Sequence, residues 1–288
     1  MIFEEEVPVL PPGVLLEDAH LLDTVTGAEV SLNGTARFLL SSIDGERTVR
    51  EIAGAASRRY GVATGQVTSD FSQLAARLNE EYLLNLDAPF RRRCALLPGI
   101  VRLLIVGLLA GHVSAPWHRR RLEISNQSRL ACSLCIVRRL GPRSWVMGSI
   151  IGLATWMLVG AISSPIWLVF ATALASSVSL LVHEAAHAVA LVPVPTFLGL
   201  YGPSTKVQHG PVTPRKGLLA SAAGPAITGS LGLPVLLGSG LLNSGSLAIL
   251  GTMLLLNLLG LTVAAPDGRK ALRNLALVLE PREEEAAA

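Results

Sequence analysis

Apolar positions recur with two different rhythms along this chain, and the change of rhythm divides it. Up to about residue 90 the apolar runs are short. Residues 7–32 read as short strands broken by turns at Pro11-Pro12-Gly13 and Thr26-Gly27, and Ala28-Glu29-Val30-Ser31-Leu32 alternates as a half-buried strand does. Asn33 caps a short helix over about residues 34–42, with Phe38 and Leu39 inward and Asp44-Gly45 ending it. Thr48-Val49-Arg50-Glu51 is a capping box that opens a second helix, running to Tyr60 and stopped by Gly61. Val67, Phe71, Leu74 and Leu78 fall at helical spacing, and Leu83-Leu84-Asn85-Leu86 forms a closing strand. Strands followed by three short helices predict a small α+β, winged-helix-like domain over residues 1–90.

Beyond residue 144 the apolar runs lengthen to membrane scale. Four segments, residues 145–163, 165–192, 217–242 and 245–265, are each long enough to cross a bilayer, so the second half is expected to be an α-helical membrane protein of about four transmembrane helices. This gives a membrane domain at 145–270 and a cytosolic tail at 271–288. Residues 91–144 are a basic linker. Within it, residues 94–113 are apolar but contain Arg102, Pro98 and Gly99 and have basic clusters at both ends. That pattern fits a helix lying in the interface better than a span.

Charge sharpens this layout. The 288-residue chain carries a net charge of +3, and its basic residues cluster at Arg91 to Arg93, His118 to Arg121 and Arg138 to Arg143, beside apolar segments. Lys206, Arg215 and Lys216 lie between the second and third segments, and Arg269, Lys270 and Arg273 follow the fourth. The loops at Ser163-Ser164 and Asn243-Ser244 are uncharged. Every basic border falls on one side if both termini are cytosolic, as the positive-inside rule requires. The acidic opening, Glu4 to Glu6, is unlike a signal peptide, so the first domain is expected in the cytosol. Nucleic-acid binding is a poor reading, since no aromatic residues interleave with the basic ones. Three cysteines make no disulfide framework, and the lone Cys132-Ser133-Leu134-Cys135 pair reads as two small residues on an amphipathic helix.

The candidate chemistry sits in the second apolar segment. His183-Glu184-Ala185-Ala186-His187 puts two imidazoles one helical turn apart on one face, where both can grip a Zn²⁺, with Glu184 beside them to act as base on a zinc-bound water. Between Glu123 and Asp267 the only acidic residue is Glu184. Ionisable groups in a span cost roughly 3 kcal/mol each on insertion scales, so three at metal spacing call for a function. Zinc needs a third protein ligand. His209, in a loop, and Asp267, in Ala264-Ala265-Pro266-Asp267-Gly268, are the candidates. Asp267 is the better placed, because Pro266 and Gly268 break the helix at a depth similar to that of His187.

Two resemblances extend the reading. His20-Leu21-Leu22-Asp23, Thr26-Gly27, Leu32-Asn33-Gly34-Thr35-Ala36, Asp44-Gly45, Thr48 to Ile52, Arg59-Tyr60-Gly61 and Asp70 with Leu74 together resemble the PqqD-like peptide-recognition domains of ribosomal-peptide maturation, over about residues 12–87. The resemblance implies a domain that takes up a leader peptide as an added strand, with Glu29, Val30, Ser31 and Leu32 as the receiving edge and the third helix closing the groove. The membrane half resembles the site-2 protease family of intramembrane zinc metallopeptidases, over about residues 145–270. The matching residues are His183-Glu184-Ala185-Ala186-His187, then Ala223-Gly224-Pro225, then Asn257 with Asp267-Gly268. Gly260 stands where that family has Pro, and Asp267 follows Asn257 by ten residues where the family has eight. The resemblance implies zinc on His183, His187 and Asp267, Glu184 as the catalytic base and Asn257 as a substrate contact. Asn257 can equally hydrogen-bond between helices.

Together these readings predict a membrane-embedded zinc peptidase with one Zn²⁺ per chain, cutting a ribosomally made precursor peptide held through its leader. Its partners would be that peptide, the lipid bilayer, and a peptide-modifying enzyme or exporter. The rival is a catalytically degenerate membrane anchor that presents a leader-bound peptide to such a partner. A membrane-bound transcriptional sensor is a third reading, disfavoured by the absence of a basic reading helix.

Overall fold

The computed structural model describes residues 4–87, 118–124, 127–159, 166–201 and 204–279. The chain forms a small amino-terminal α/β domain and a mostly helical part. Two compact units emerge: residues 1–123 with Phe197–Gln208, and residues 124–196 with 209–288. The apolar stretch at 94–113 lies outside the described residues.

In the first unit, β2 (Val14–Leu16), β3 (His20–Asp23) and β4 (Glu29–Ser31) make an antiparallel sheet with β3 in the middle. Asp23 shapes the β3–β4 turn: its carboxylate accepts from the Val25 N–H (2.9 Å) and the Thr26 hydroxyl (2.7 Å), and Gly27 supplies the positive φ. The three helices form where the sequence signals place them. α1 (Gly34–Ser41) is capped by Asn33, whose side chain accepts from the Ala36 N–H. α2 (Val49–Tyr60) has the reciprocal Thr48–Glu51 box and ends at Gly61 in the left-handed conformation. α3 (Thr64–Glu80) buries Val67, Phe71 and Leu78. Leu39, Val49, Ile52, Val67 and Phe71 form one apolar cluster; Leu21, Leu40, Leu78, Leu83 and Leu84 form the other. β5 (Asn85–Asp87) closes the domain by pairing with β1 (Val7–Val9).

This unit also recruits two later segments that composition assigns elsewhere. β6 (Arg119–Glu123) pairs antiparallel with β7 (Thr196–Tyr201), and β8 (Ser204–His209) lies on β7's other side. Residues 119–121 of the basic run at 118–121, expected as a membrane border, lie in this strand. Two asparagine side chains act as its second neighbour. Asn79 Oδ1 accepts from the Arg119 N–H and its Nδ2 donates to the Arg119 carbonyl; Asn85 repeats the pattern on Arg121. Arg121 itself is buried, 2.9 Å from Asp23, with its guanidinium 4.0 Å above the Phe197 ring. Gly199 leaves room for the Tyr82 ring against β7, since a Cβ there would come within 2.8 Å of the ring.

A buried ion pair broken on one side leaves a charge without its partner. Arg121→Ala should therefore destabilise this unit by about 3 kcal/mol, the low end of the usual range because Asp23 keeps its two turn hydrogen bonds. Denaturant melts of the full chain in detergent would measure it.

The second unit begins with α4 (Arg129–Val159) and α5 (Trp167–Leu191). They approach closely because Gly148 and Gly152 face the backbone carbonyls of Ala173 and Val169, and the Ser177 hydroxyl reaches the Ser144 carbonyl at 2.9 Å. α6 (Pro214–Leu241) follows, then α7 (Gly245–Leu256), a 3-10 turn (Asn257–Leu261) and α8 (Pro266–Leu279). α5 and α6 are long and apolar enough to span a membrane. The pair Gly245–Leu261 and Pro266–Leu279, bent by 43°, makes a third span only if counted as one. Among the described residues this makes two to three spans where four were expected, and the end of the first expected segment, 160–163, lies outside them. The stretch from Trp145 is the second half of α4, whose first half holds Arg138, Arg139 and Arg143, and the last segment is broken at residues 262–265. Leu231, Leu233, Leu237 and Leu241 of α6 are exposed, as lipid-facing residues are.

Candidate functional site

The helix that carries the two histidines is largely apolar, and His183, Glu184 and His187 are its ionisable residues. The histidines stand one turn apart, their Nε2 atoms 3.1 Å from each other. Asp267 completes a triangle: its Oδ2 lies 3.3 Å from both Nε2 atoms. Among the described residues these three form the group able to hold a metal ion. His209 is elsewhere; its Nδ1 meets the Gly210 carbonyl.

Hydrogen bonding explains this triangle poorly. The His187 Nδ1 lies 2.6 Å from the Ala220 carbonyl, which can only accept, so Nδ1 carries the proton and Nε2 of the neutral ring presents a bare lone pair. That lone pair faces a carboxylate oxygen. In a nearly equilateral triangle, moreover, one N–H cannot point along two sides at once. A metal would resolve both difficulties. Bonds of about 2.0–2.1 Å to a tetrahedral ion would set its ligand atoms about 3.3–3.4 Å apart, close to the edges seen. His183 Nδ1 is buried with no hydrogen-bond partner among the described residues.

Neighbouring elements hold the triangle together. Gly224 on α6 lies against the His187 ring, and Ala220 one turn earlier supplies the carbonyl that fixes the tautomer. Ala-Gly-Pro was legible as a motif, but its role as the wall behind His187 was not. Gly260 packs on Pro225, where a Cβ would fall 3.0 Å from the proline Cβ. Asn257 and Asp267 are joined through the 3-10 turn and residues 262–265. Gly268 folds back tightly on the Thr262 carbonyl, so that Asp267 turns toward the histidines. Glu184 is buried on α5, and the charged and titratable groups around it are His187, His183, Asp267 and Lys270.

Asn257 is not part of the triangle. Its amide donates to the Ser179 hydroxyl at 2.7 Å and to the carbonyls of Met253 and Leu254, tying the end of α7 to α5 one turn before His183. The other predicted residues, Glu29 to Leu32, are in the first unit. Among the described residues β4 has β3 on one side and no strand on the other. Leu32 donates to Ala19 and Asp23 donates to Ala28, so the backbone groups of Ala28, Val30 and Leu32 point inward and those of Glu29 and Ser31 point to the free edge.

Residues 19–84 match the family described as Coenzyme PQQ synthesis protein D (PqqD). No curated protein and no solved structure matches the chain. The PqqD-like match covers the β3–β4 edge and all three small helices, and it points to peptide recognition in ribosomal-peptide maturation. It ends well before the helix bearing His183.

Proposed function

We propose that the chain is a membrane-embedded zinc peptidase that cuts a ribosomally made precursor peptide whose leader is held by the PqqD-like domain. The observation that carries this reading is the triangle of His183, His187 and Asp267, whose three edges suit a metal better than a hydrogen-bond network. Zinc would be held by those three residues and, when bound, would polarise a peptide carbonyl and acidify water. Glu184 supplies the proton chemistry: its carboxylate takes a proton from the attacking water and passes it to the leaving amine. The Ala220 carbonyl keeps the His187 ring oriented throughout.

The leader would add to the free edge of β4, exchanging main-chain hydrogen bonds with Glu29 and Ser31. Ser31→Pro removes an outward N–H and leaves the inward bonds of Val30 and Leu32 intact, a position where an edge strand tolerates proline. It should weaken binding of a synthetic precursor leader at least about tenfold, about one main-chain hydrogen bond's share plus edge distortion, with little change in melting temperature. Fluorescence anisotropy on the full chain reads the first and calorimetry the second.

A scaffold that presents leader-bound peptide to a modification enzyme or exporter is the second reading, favoured by the longer path from Asn257 to Asp267. Metal content separates the two. Purified full-length protein should carry close to one zinc per chain, Asp267→Ala should lose most of it, and Asn257→Ala should keep it. Wild-type protein without zinc would favour the scaffold.

A further inference from the structure

α8 has three faces where a simple continuation of a span has one. Asp267, Gly268, Ala271, Asn274 and Val278 are at least partly buried, and Asn274 lies against Gly217 of α6. Next to this packed side, Leu272, Leu275 and Leu279 form an exposed stripe at i, i+3 and i+7. Arg269, Lys270 and Arg273, with the exposed Leu277 one turn beyond Arg273, form a third face. None of these three cations makes an ion pair among the described residues, although Arg269 also donates to the carbonyls of Val263 and Ala264.

Length decides where this helix lies. α7 and the 3-10 turn together rise about 28 Å at the usual increments, about the thickness of a hydrocarbon core. Standing upright, a segment of that rise reaches the far side near residue 261, and the 43° bend turns α8 off that axis. A leucine stripe flanked by lysine and arginine, starting where a span ends, is the pattern of a helix lying in the membrane interface. The cationic face selects the occupant: anionic phospholipid headgroups.

We propose that α8 is an anionic-lipid-binding interfacial helix, with Leu272, Leu275 and Leu279 in the acyl boundary and Lys270 and Arg273, joined by Arg269, on the headgroups. Because Asp267 is its second residue, the seat of α8 on the bilayer also sets the depth of that carboxylate. Lipid binding itself does not depend on zinc or on catalysis.

The test uses the full chain with a fluorescent amino acid in place of Leu275, reconstituted in phosphatidylcholine vesicles. Each preparation contains the same fraction of acyl-brominated phosphatidylcholine or acyl-brominated phosphatidylglycerol. Both lipids should quench the reporter, phosphatidylglycerol several-fold more. Salt should erode that excess, and Lys270→Gln/Arg273→Gln should abolish it, each charge near an anionic surface being worth roughly fivefold. Equal quenching by the two lipids in the wild type, or a preference that survives in the double variant, would overturn the headgroup assignment. A reporter shielded from both brominated lipids and from aqueous iodide would place a protein on the stripe and overturn the proposal as a whole.

Discussion

Glu184→Gln is expected to end cleavage while leaving zinc in place. Glutamine preserves the shape of the side chain but cannot take a proton from water or return one to an amine. General acid–base catalysis contributes about 10²–10⁴-fold, so precursor cleavage should fall by at least two orders of magnitude. His183, His187 and Asp267 are unchanged in this variant, and zinc measured by mass spectrometry should stay near the wild-type level. No other carboxylate in the stretch between Glu123 and Asp267 can substitute. Activity that persists in the variant would remove Glu184 from its role. Zinc lost together with activity would instead mean that Glu184 supports the site's structure.

How much of this is legible in the sequence depends on whether the signal is local. Helix caps are local, and Asn33, the Thr48–Glu51 box and Gly61 sit where their chemistry requires. His183 and His187 are one turn apart on any helix, and Pro266-Asp267-Gly268 announced its own break. The annexed sheet was not local. Arg119 and Arg121 look like any membrane-flanking basic cluster until Asp23, Asn79, Asn85 and Phe197, distant in sequence, are seen around them. Asn257 had two readings that sequence left open; the structure ties its amide to Ser179, a partner 78 residues away.

The other large effect is expected from a single methyl group. Gly224→Ala puts a Cβ within 2.6 Å of His187 Cε1 and 2.7 Å of Cδ2, far inside contact distance. The ring cannot swing aside freely, because its Nδ1 is held by the Ala220 carbonyl one turn away on the same helix. The helix has little room to retreat either, with Pro225 against Gly260 and Gly229 against Leu258. His187 must therefore move and take its Nε2 out of the triangle. Loss of a ligand's orientation typically lowers metal affinity about 10–100-fold, and zinc retention and cleavage should fall together on that scale. Intrinsic helix propensity predicts the opposite sign, since alanine is favoured over glycine in a helix interior by about 1 kcal/mol. Gly238→Ala, on the same helix with nothing within 4 Å of the new methyl, isolates that effect. It should keep its zinc and melt no lower than the wild type. If Gly224→Ala behaves like Gly238→Ala, the wall behind His187 plays no part in holding the metal.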